Sequence, residues 1–187
     1  SVAGGLKVNH EKNPIGIQKI EQISWILQSE EKNIKQMSYR IQIAQDEGFA
    51  RLIYDSGTIY SEESAYVRIG EVDLKPVQKY YLRVYVTDST GRSGCLKGHF
   101  VTTLHREEEW KGDFITVETE AEKEKSQSFY VRGEFQTKGE IKSAYVMSTA
   151  LGVYHAYLNG EKIGEDELTP GWTSYRKHIR YQMYDVK

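Results

Sequence analysis

Hydrophobic and polar residues alternate with a period of two over several short stretches of this chain. In residues 38–44 every second side chain is large and apolar, and the same alternation returns in residues 80–87 and 129–135. Because successive side chains of a β-strand point to opposite faces, each stretch predicts a strand with one buried face. The predicted inward-facing residues are Tyr39, Ile41, Ile43, Tyr80, Leu82, Val84, Val86, Phe129, Val131 and Phe135.

No stretch of comparable length shows the 3.6-residue period of a helix, so the predicted fold class is all-β. Turn signals separate the predicted strands. Asn159-Gly160 is the strongest of them, because both positions of a type I′ hairpin turn require positive φ. Further turns are predicted at Asp55-Ser56-Gly57, Asp88–Gly91 and Lys138-Gly139.

The first half of the chain has the pattern of an immunoglobulin-like or fibronectin type III-like sandwich. Residues 13–104 hold about seven strand candidates, the number of such a sandwich. Leu74, Pro76 and Tyr80 have the spacing of a tyrosine corner, in which the tyrosine bonds back to the upstream backbone; this spacing resembles fibronectin type III domains. Trp25 is the predicted core tryptophan. Because fold does not choose function, we expect a structural or docking role here rather than direct ligand binding.

Composition and charge narrow the functional classes. The chain has 187 residues, of which 39% are hydrophobic and 28% charged, as in a globular protein. Its net charge of -2 argues against a nucleic-acid or anionic-membrane partner, and no apolar run is long enough for a transmembrane helix. The single cysteine, Cys95, excludes an internal disulfide. Low cysteine usage and the lack of a visible leader favour a cytoplasmic location, with export as the open alternative.

Familiar catalytic signatures are missing from the sequence. It contains no glycine-rich phosphate loop, no His-Glu-x-x-His and no Gly-x-Ser-x-Gly. The five histidines lie at spacings that suggest no metal site. We therefore expect no cofactor and no bound metal.

The second half contains a long ordered pattern. It reads Ala-Leu-Gly-Val-Tyr at 150–154, Leu-Asn-Gly at 158–160, Pro-Gly-Trp-Thr-Ser-Tyr at 170–175 and Tyr-Asp-Val at 184–186. This pattern resembles the N-terminal β-sandwich module of bacterial α-L-rhamnosidases of glycoside hydrolase family 78. The first half resembles the opening of the same family, and it departs from the family at 94–96. The matching segments there are Asn13–Ile17, Ser24-Trp25, Tyr39-Arg40-Ile41, Asp55-Ser56-Gly57 and the tyrosine corner.

Residues 1–12 are expected to be a disordered or tag-derived segment. A shift in composition near residues 104–110 predicts a domain boundary at about residue 105, after the fibronectin type III-like sandwich at 13–104. The resemblance implies that residues 105–187 are part of a jelly-roll module. The family hydrolyses terminal α-L-rhamnose with inversion, using two carboxylates on an (α/α)6 barrel that these residues do not include. The expected function is therefore that of a non-catalytic N-terminal accessory region. Its expected partners are the remainder of the rhamnosidase chain and, less directly, rhamnosides. The alternatives are a stand-alone carbohydrate-binding module and an interaction protein whose fibronectin-like domain recruits a partner.

Three residues of the second half are candidates for sugar contact. Trp172 would stack on a sugar ring, beside Tyr175, and Asp166 would bind hydroxyl groups. The plainer alternative is that Trp172 packs inside the sandwich or against a neighbouring domain, as large aromatic residues usually do. Some members of the family bind rhamnose through calcium in this region. No Asp-x-Asp cluster occurs here, so the resemblance transfers no calcium site. The acidic runs at 107–109 and 165–167 are expected to be solvated surface.

The second module has fewer strand candidates than a jelly roll, which uses about eight. We therefore expect the chain to end inside this module, at an expression limit, a proteolytic end or a gene end, with an open sheet edge. The candidates are 114–117, 129–135, 141–149, 153–158 and 179–184.

Overall fold

The computed structural model describes residues 2–116, 128–165, 167–170 and 180–187. The chain divides into two compact units, Ser1–Glu109 and Trp110–Lys187. Among the described residues the only helical element is a single 3-10 turn, Glu107–Glu109, and none forms a helix long and apolar enough to cross a membrane. The predicted all-β class is confirmed.

The first unit is built from strands that form a large and a small sheet. Strands β2, β8, β7, β4 and β5 lie side by side in that order, with β6 also pairing with β4, while β1 pairs with β3 in a separate sheet. All pairs are antiparallel except β2 with β8. The strands are β1 Ala3–Val8, β2 Ile15–Ile17, β3 Ile23–Leu27, β4 Gln36–Ala44, β5 Leu52–Asp55, β6 Ile59–Tyr60, β7 Lys79–Asp88 and β8 Ser93–Thr102.

The alternating residues of β4 and β7 form the centre of the core, as predicted. Tyr80, Leu82, Val84 and Val86 of β7 have no exposed surface, and the alternate positions of β4 are equally covered. The two strands lie next to each other, so their inward faces form one apolar layer. Ile23 and Trp25 of the small sheet and Phe100 of β8 belong to the same core cluster.

Two predicted features of this unit are confirmed. The backbone N–H of Lys75 donates a 2.8 Å hydrogen bond to the phenolic oxygen of Tyr80, which is the contact expected of a tyrosine corner. Trp25 is 2% exposed, and its Nε1 donates a 2.7 Å hydrogen bond to Oε1 of Gln36. The indole is thus buried with its polar atom satisfied.

The structure differs from the expectation for residues 1–12. Residues 3–8 form β1, in which Ala3 and Val8 are buried against the core. The segment has two glycines and no regular alternation, so the sequence pattern gave no strand signal. Backbone pairing with β3 and the small apolar side chains at its two ends hold it in place.

The second unit has short strands. They are β9 Tyr145–Ser148, β10 Tyr157–Leu158, β11 Glu161–Lys162 and β12 Gln182–Asp185. β12 pairs with β9, and β10 pairs with β11 through the predicted hairpin. Asn159 and Gly160 have φ of 52° and 88°, so the expectation of positive φ at both turn positions is confirmed.

Several strand predictions for this unit are wrong or too long. Residues 129–135 form no strand, and Phe129, Tyr130, Val131 and Phe135 are all exposed. Alternation yields a strand only where a neighbour supplies backbone partners and an apolar layer, and the described residues pair nothing with this segment. The predicted strands at 141–149 and 153–158 are too long, since the structure has only β9 and β10 within them. Residues 114–116 form no strand.

Candidate functional site

The three predicted sugar-contacting residues, Trp172, Tyr175 and Asp166, lie outside the described residues. The structure does describe Glu167, which the sequence places beside Asp166, and the groups that hold it. The candidate site is therefore built here from Glu167 outward.

Lys162 and His155 of the second unit flank the Glu167 carboxylate. Lys162 of β11 donates a hydrogen bond from Nζ to Oε1, and Nε2 of His155 lies 3.0 Å from Oε2. The β10–β11 hairpin turns the chain back at Asn159-Gly160, which brings Lys162 toward the segment that carries Glu167. The hydrogen bond from Lys162, followed by that from His155, lowers the pKa of Glu167 below its usual value.

Tyr154 anchors the surrounding backbone. Its N–H donates to the carbonyl oxygen of Thr169 at 3.0 Å, which ties the approach to β10 to the segment that carries Glu167. Its hydroxyl lies 3.3 Å from the Ser148 carbonyl oxygen and 3.1 Å from Oε1 of Gln182. These contacts fix the frame of the site on β9 and β12.

This arrangement makes Glu167 a hydrogen-bond acceptor. A carboxylate whose pKa is lowered by a neighbouring ammonium stays ionised at neutral pH, so it accepts protons in hydrogen bonds and does not donate one. Its side chain is also 66% exposed. Such a group is suited to binding a hydroxyl and unsuited to general-acid catalysis, which requires a raised pKa.

The other acidic run, at 107–109, has a local structural role. Oε2 of Glu109 accepts hydrogen bonds from the backbone N–H of His105 at 2.8 Å and, at 3.4 Å, from that of Arg106. The His105 bond is the main cause of its lowered pKa. Glu107 and Glu108 are exposed. Within the described residues, no group of three or more His, Cys, Asp or Glu side chains is arranged to hold a metal ion.

A polar network on the outer face of the large sheet was missed by the sequence analysis. Arg40 of β4 forms two hydrogen bonds with Asp55 of β5, Nε to Oδ1 at 2.8 Å and Nη2 to Oδ2 at 2.6 Å. Gln42 donates to Asp55 at 2.6 Å and accepts from Nε of Arg83 at 2.7 Å. These hydrogen bonds, above all that from Arg40, hold the pKa of Asp55 far below its usual range.

The guanidinium of Arg83 also lies over two aromatic rings. Its Cζ is 4.3 Å from the ring centre of Phe49 and 5.2 Å from that of Tyr85. The sequence indicates part of this network. Arg40 and Gln42 alternate with apolar residues, which predicts that both lie on the outward face of β4. The residues of β5 and β7 that they contact depend on strand register, which the sequence does not specify.

Comparison with known families covers both halves of the chain. The Rha78A-like, N-terminal immunoglobulin domain matches residues 3–104, and the alpha-L-rhamnosidase N-terminal domain matches residues 139–187.

Two relatives, both named alpha-L-rhamnosidase, are much longer than this chain. The alpha-L-rhamnosidase of Alteromonas sp. (strain LOR) is 31% identical over 188 residues, which covers 93% of this chain and 20% of that protein. An alpha-L-rhamnosidase of Formosa agariphila is 27% identical over 207 residues, covering 96% of this chain and 22% of that protein. This chain therefore spans about a fifth of the length of these relatives.

Solved structures show the same similarity. The alpha-L-rhamnosidase from Dictyoglumus thermophilum aligns with a TM-score of 0.83 and 28% identity, covering 100% of this chain and 23% of that one. The alpha-L-rhamnosidase from Aspergillus terreus aligns with a TM-score of 0.75 at 21% identity, covering 98% of this chain and 22% of that one, which shows the shared fold. The chain thus belongs to the family of the Rha78A-like N-terminal immunoglobulin domain, as part of the N-terminal region of glycoside hydrolase family 78 α-L-rhamnosidases.

Proposed function

We propose that this chain is the non-catalytic N-terminal accessory region of an α-L-rhamnosidase, and that the remainder of the enzyme is its partner. The observation that carries the proposal is the alignment of the whole chain with 23% of the Dictyoglumus thermophilum enzyme at a TM-score of 0.83. The region supplies a folded platform, and the hydrolysis of terminal α-L-rhamnose belongs to the rest of the protein.

The electrostatics of the described carboxyls support a non-catalytic role. Inverting glycosidases pair a carboxylate base with a carboxylic acid whose pKa is raised, the two standing about 6.5–9.5 Å apart. Every carboxyl pKa shift found among the described residues is downward. The residues are Asp46, Asp55, Asp88, Glu109 and Glu167.

The cause of these shifts explains why the groups are poor candidates for acid catalysis. Asp88 is 3% exposed, yet it accepts hydrogen bonds from the Thr90 hydroxyl and from the Thr90 and Arg92 backbone, which stabilise its charge. A general acid requires the opposite environment, in which burial without such donors favours the neutral form.

The proposal is tested by assaying residues 1–187 with an aryl α-L-rhamnoside whose released phenol is coloured. We expect release at the rate seen in buffer. The non-catalytic assignment would be overturned if the chain released phenol faster than buffer does and if Glu167→Gln or Asp55→Asn abolished that release.

A second candidate is a carbohydrate-binding module that uses Trp172, Tyr175 and Asp166. The ionised Glu167 beside Asp166 supports it, since fixed carboxylate acceptors are suited to sugar hydroxyls. Titration calorimetry with L-rhamnose, with and without calcium, measures this function directly. Saturable heat that Trp172→Ala abolishes and Tyr130→Ala preserves would establish it, because Tyr130 is fully exposed and lies outside the candidate site. The absence of heat at millimolar sugar from folded protein would exclude it.

A further inference from the structure

The outer face of the large sheet carries an uncompensated pair of positive charges. Arg83 of β7 and Lys97 of β8 are directly opposite each other in the antiparallel ladder. Side chains at such positions share one face, with Cβ atoms about 4.5–5.5 Å apart, and like charges placed there repel. An anion bound between the two side chains would offset this repulsion.

Neighbouring groups on the two strands do not supply that anion. The outward positions of β7 are Lys79, Tyr81, Arg83, Tyr85 and Thr87, and those of β8 are Ser93, Cys95, Lys97, His99 and Val101. Neither set includes a carboxylate. On the other side of Arg83, the carboxylate of Asp55 is already engaged by the fork of Arg40 and by Gln42.

Arg83 and Lys97 have donors to spare. The Nε of Arg83 is used by Gln42, while its two terminal nitrogens and the Nζ of Lys97 make no hydrogen bond or ion pair within the part of the chain that the structure describes. The guanidinium is held in one orientation by Gln42 and by the ring of Phe49. A preorganised fork of this kind binds a carboxylate through two parallel hydrogen bonds.

The loop that carries Phe49 completes this preorganisation. Asp46 accepts hydrogen bonds from the backbone N–H of Ala50 at 3.0 Å and of Arg51 at 2.7 Å, so the loop between β4 and β5 is closed on itself. Phe49 is 8% exposed in that loop. The Cζ of Arg83 lies 4.3 Å from the centre of its ring, so the loop holds the guanidinium from one side.

The surface on the β4 side of Arg83 carries several hydroxyl groups. A shallow groove beside Arg83 and Tyr85 is lined by Ser38, Thr58 and Thr87. Tyr85 is 36% exposed. Hydroxyls and partly exposed aromatic rings are suited to the mixed polar and apolar faces of a sugar.

The position of β7 argues against an extended peptide as the ligand. β7 is paired along its length with β4 on one side and β8 on the other, so its backbone groups are used within the sheet. A peptide that binds by strand addition requires a free sheet edge. A ligand on this face would therefore contact the side chains of β7 and not its backbone.

We propose that Arg83 and Lys97 form a binding site for the carboxylate of an acidic sugar unit, with Tyr85 and the adjacent hydroxyls contacting its ring. This inference rests on the proposed function, in that a glycan is taken as the partner of a rhamnosidase region. The site would give the accessory region affinity for acidic glycans.

Calorimetric titration of residues 1–187 with a pentamer of galacturonic acid tests the proposal, with the fully methyl-esterified pentamer as the neutral control. We expect saturable binding of the acidic pentamer only, weakened when NaCl is raised from 50 to 500 mM. Lys97→Gln should weaken binding about fivefold, the upper end for one exposed ion pair, while Lys97→Arg should preserve it. Lys19→Gln, which removes an exposed lysine elsewhere in the unit, should have no effect.

Three results would overturn the proposal. They are the absence of binding by folded protein, equal binding by Lys97→Gln and the wild type, and equally tight, Lys97-dependent binding of a glutamate decamer, which would assign the site to acidic peptides. Because this titration measures binding of an acidic glycan and the rhamnoside assay measures hydrolysis of a neutral substrate, a failure of one proposal is distinguishable from a failure of the other.

Discussion

The backbone N–H of Lys75 and the phenolic oxygen of Tyr80 are joined by a 2.8 Å hydrogen bond across five residues. Tyr80 has no exposed surface and stacks on Phe100, with ring centres 5.5 Å apart. The pair therefore fixes the loop before β7 to the centre of the core. It links the Leu74–Tyr80 motif of the sequence to the folded unit.

Tyr80→Phe is predicted to destabilise the first unit by about 1–3 kcal/mol, because the Lys75 N–H loses its acceptor while the ring keeps its packing. Chemical denaturation monitored by fluorescence measures the change. Tyr60→Phe is the matched control, since Tyr60 is 83% exposed, and we expect it to change the free energy of unfolding by less than about 0.5 kcal/mol. Equal effects of the two changes would contradict the account.

Gln36→Leu is predicted to lower the free energy of unfolding of the first unit by a similar amount. Gln36 is 3% exposed, accepts from Trp25 Nε1 and donates to the carbonyl oxygens of Ser61 and Glu63. Leucine keeps the volume but leaves the buried indole N–H without a partner, at a cost of about 1–3 kcal/mol. Met37→Leu, at a 52% exposed neighbour, serves as the control in the same unfolding experiment. An unchanged unfolding midpoint for Gln36→Leu would show that the hydrogen bonds contribute nothing.

The Arg40–Asp55 pair predicts a pH dependence. The hydrogen bond from Arg40 lowers the pKa of Asp55 in the folded state, so the pair contributes stability at pH values above the unfolded pKa of about 3.9 and loses it as the pH falls further. The free energy of unfolding of the wild type should therefore fall between pH 5 and pH 3. In Asp55→Asn that fall should be smaller. A parallel decline in both proteins would remove Asp55 as a cause.

The first unit is predicted to fold on its own. Every buried apolar side chain among the described residues of the chain, except Pro170, lies in residues 1–109, so this unit has a complete core. A polypeptide of residues 1–109 should unfold cooperatively, and in the full chain the amides of β4 and β7 should exchange more slowly than those of β9 and β12. This result would also support the proposed domain boundary at about residue 105. Non-cooperative unfolding of 1–109 would contradict both.

The sequence pattern predicted the core of the first unit because both its signals are local. Alternation in β4 and β7 requires only that one face be buried, and the Leu74–Tyr80 spacing is a short motif. The same reasoning predicts a strand at 129–135, where the structure shows exposed side chains and no pairing with any of the residues that it describes. Alternation indicates which residues would share one face of a strand. It does not indicate whether a neighbouring layer of the protein covers that face.

The polar networks were less accessible to sequence analysis. Glu167 lies next to the predicted candidate Asp166 in the sequence, but its contacts with His155 and Lys162 depend on how the hairpin folds back. The row formed by Asp55, Gln42, Arg83 and Lys97 crosses four strands, and its central contact joins β4 to β7, which are separated by more than 30 residues of sequence. Such rows follow from register, which turn geometry and core packing set together.

The central claim is that this chain is an accessory region that supports a rhamnosidase without performing the chemistry. The most direct test replaces the matching region of the Dictyoglumus thermophilum enzyme with residues 1–187 and measures kcat on an aryl α-L-rhamnoside. The account predicts a folded chimera whose kcat is within about tenfold of the parent enzyme's kcat. Residues 1–187 share the fold of the region that they replace, and the account assigns the catalytic groups to the part of the enzyme that is kept. A folded, soluble chimera without activity would contradict the claim, since it would show that the replaced segment carries groups the reaction requires.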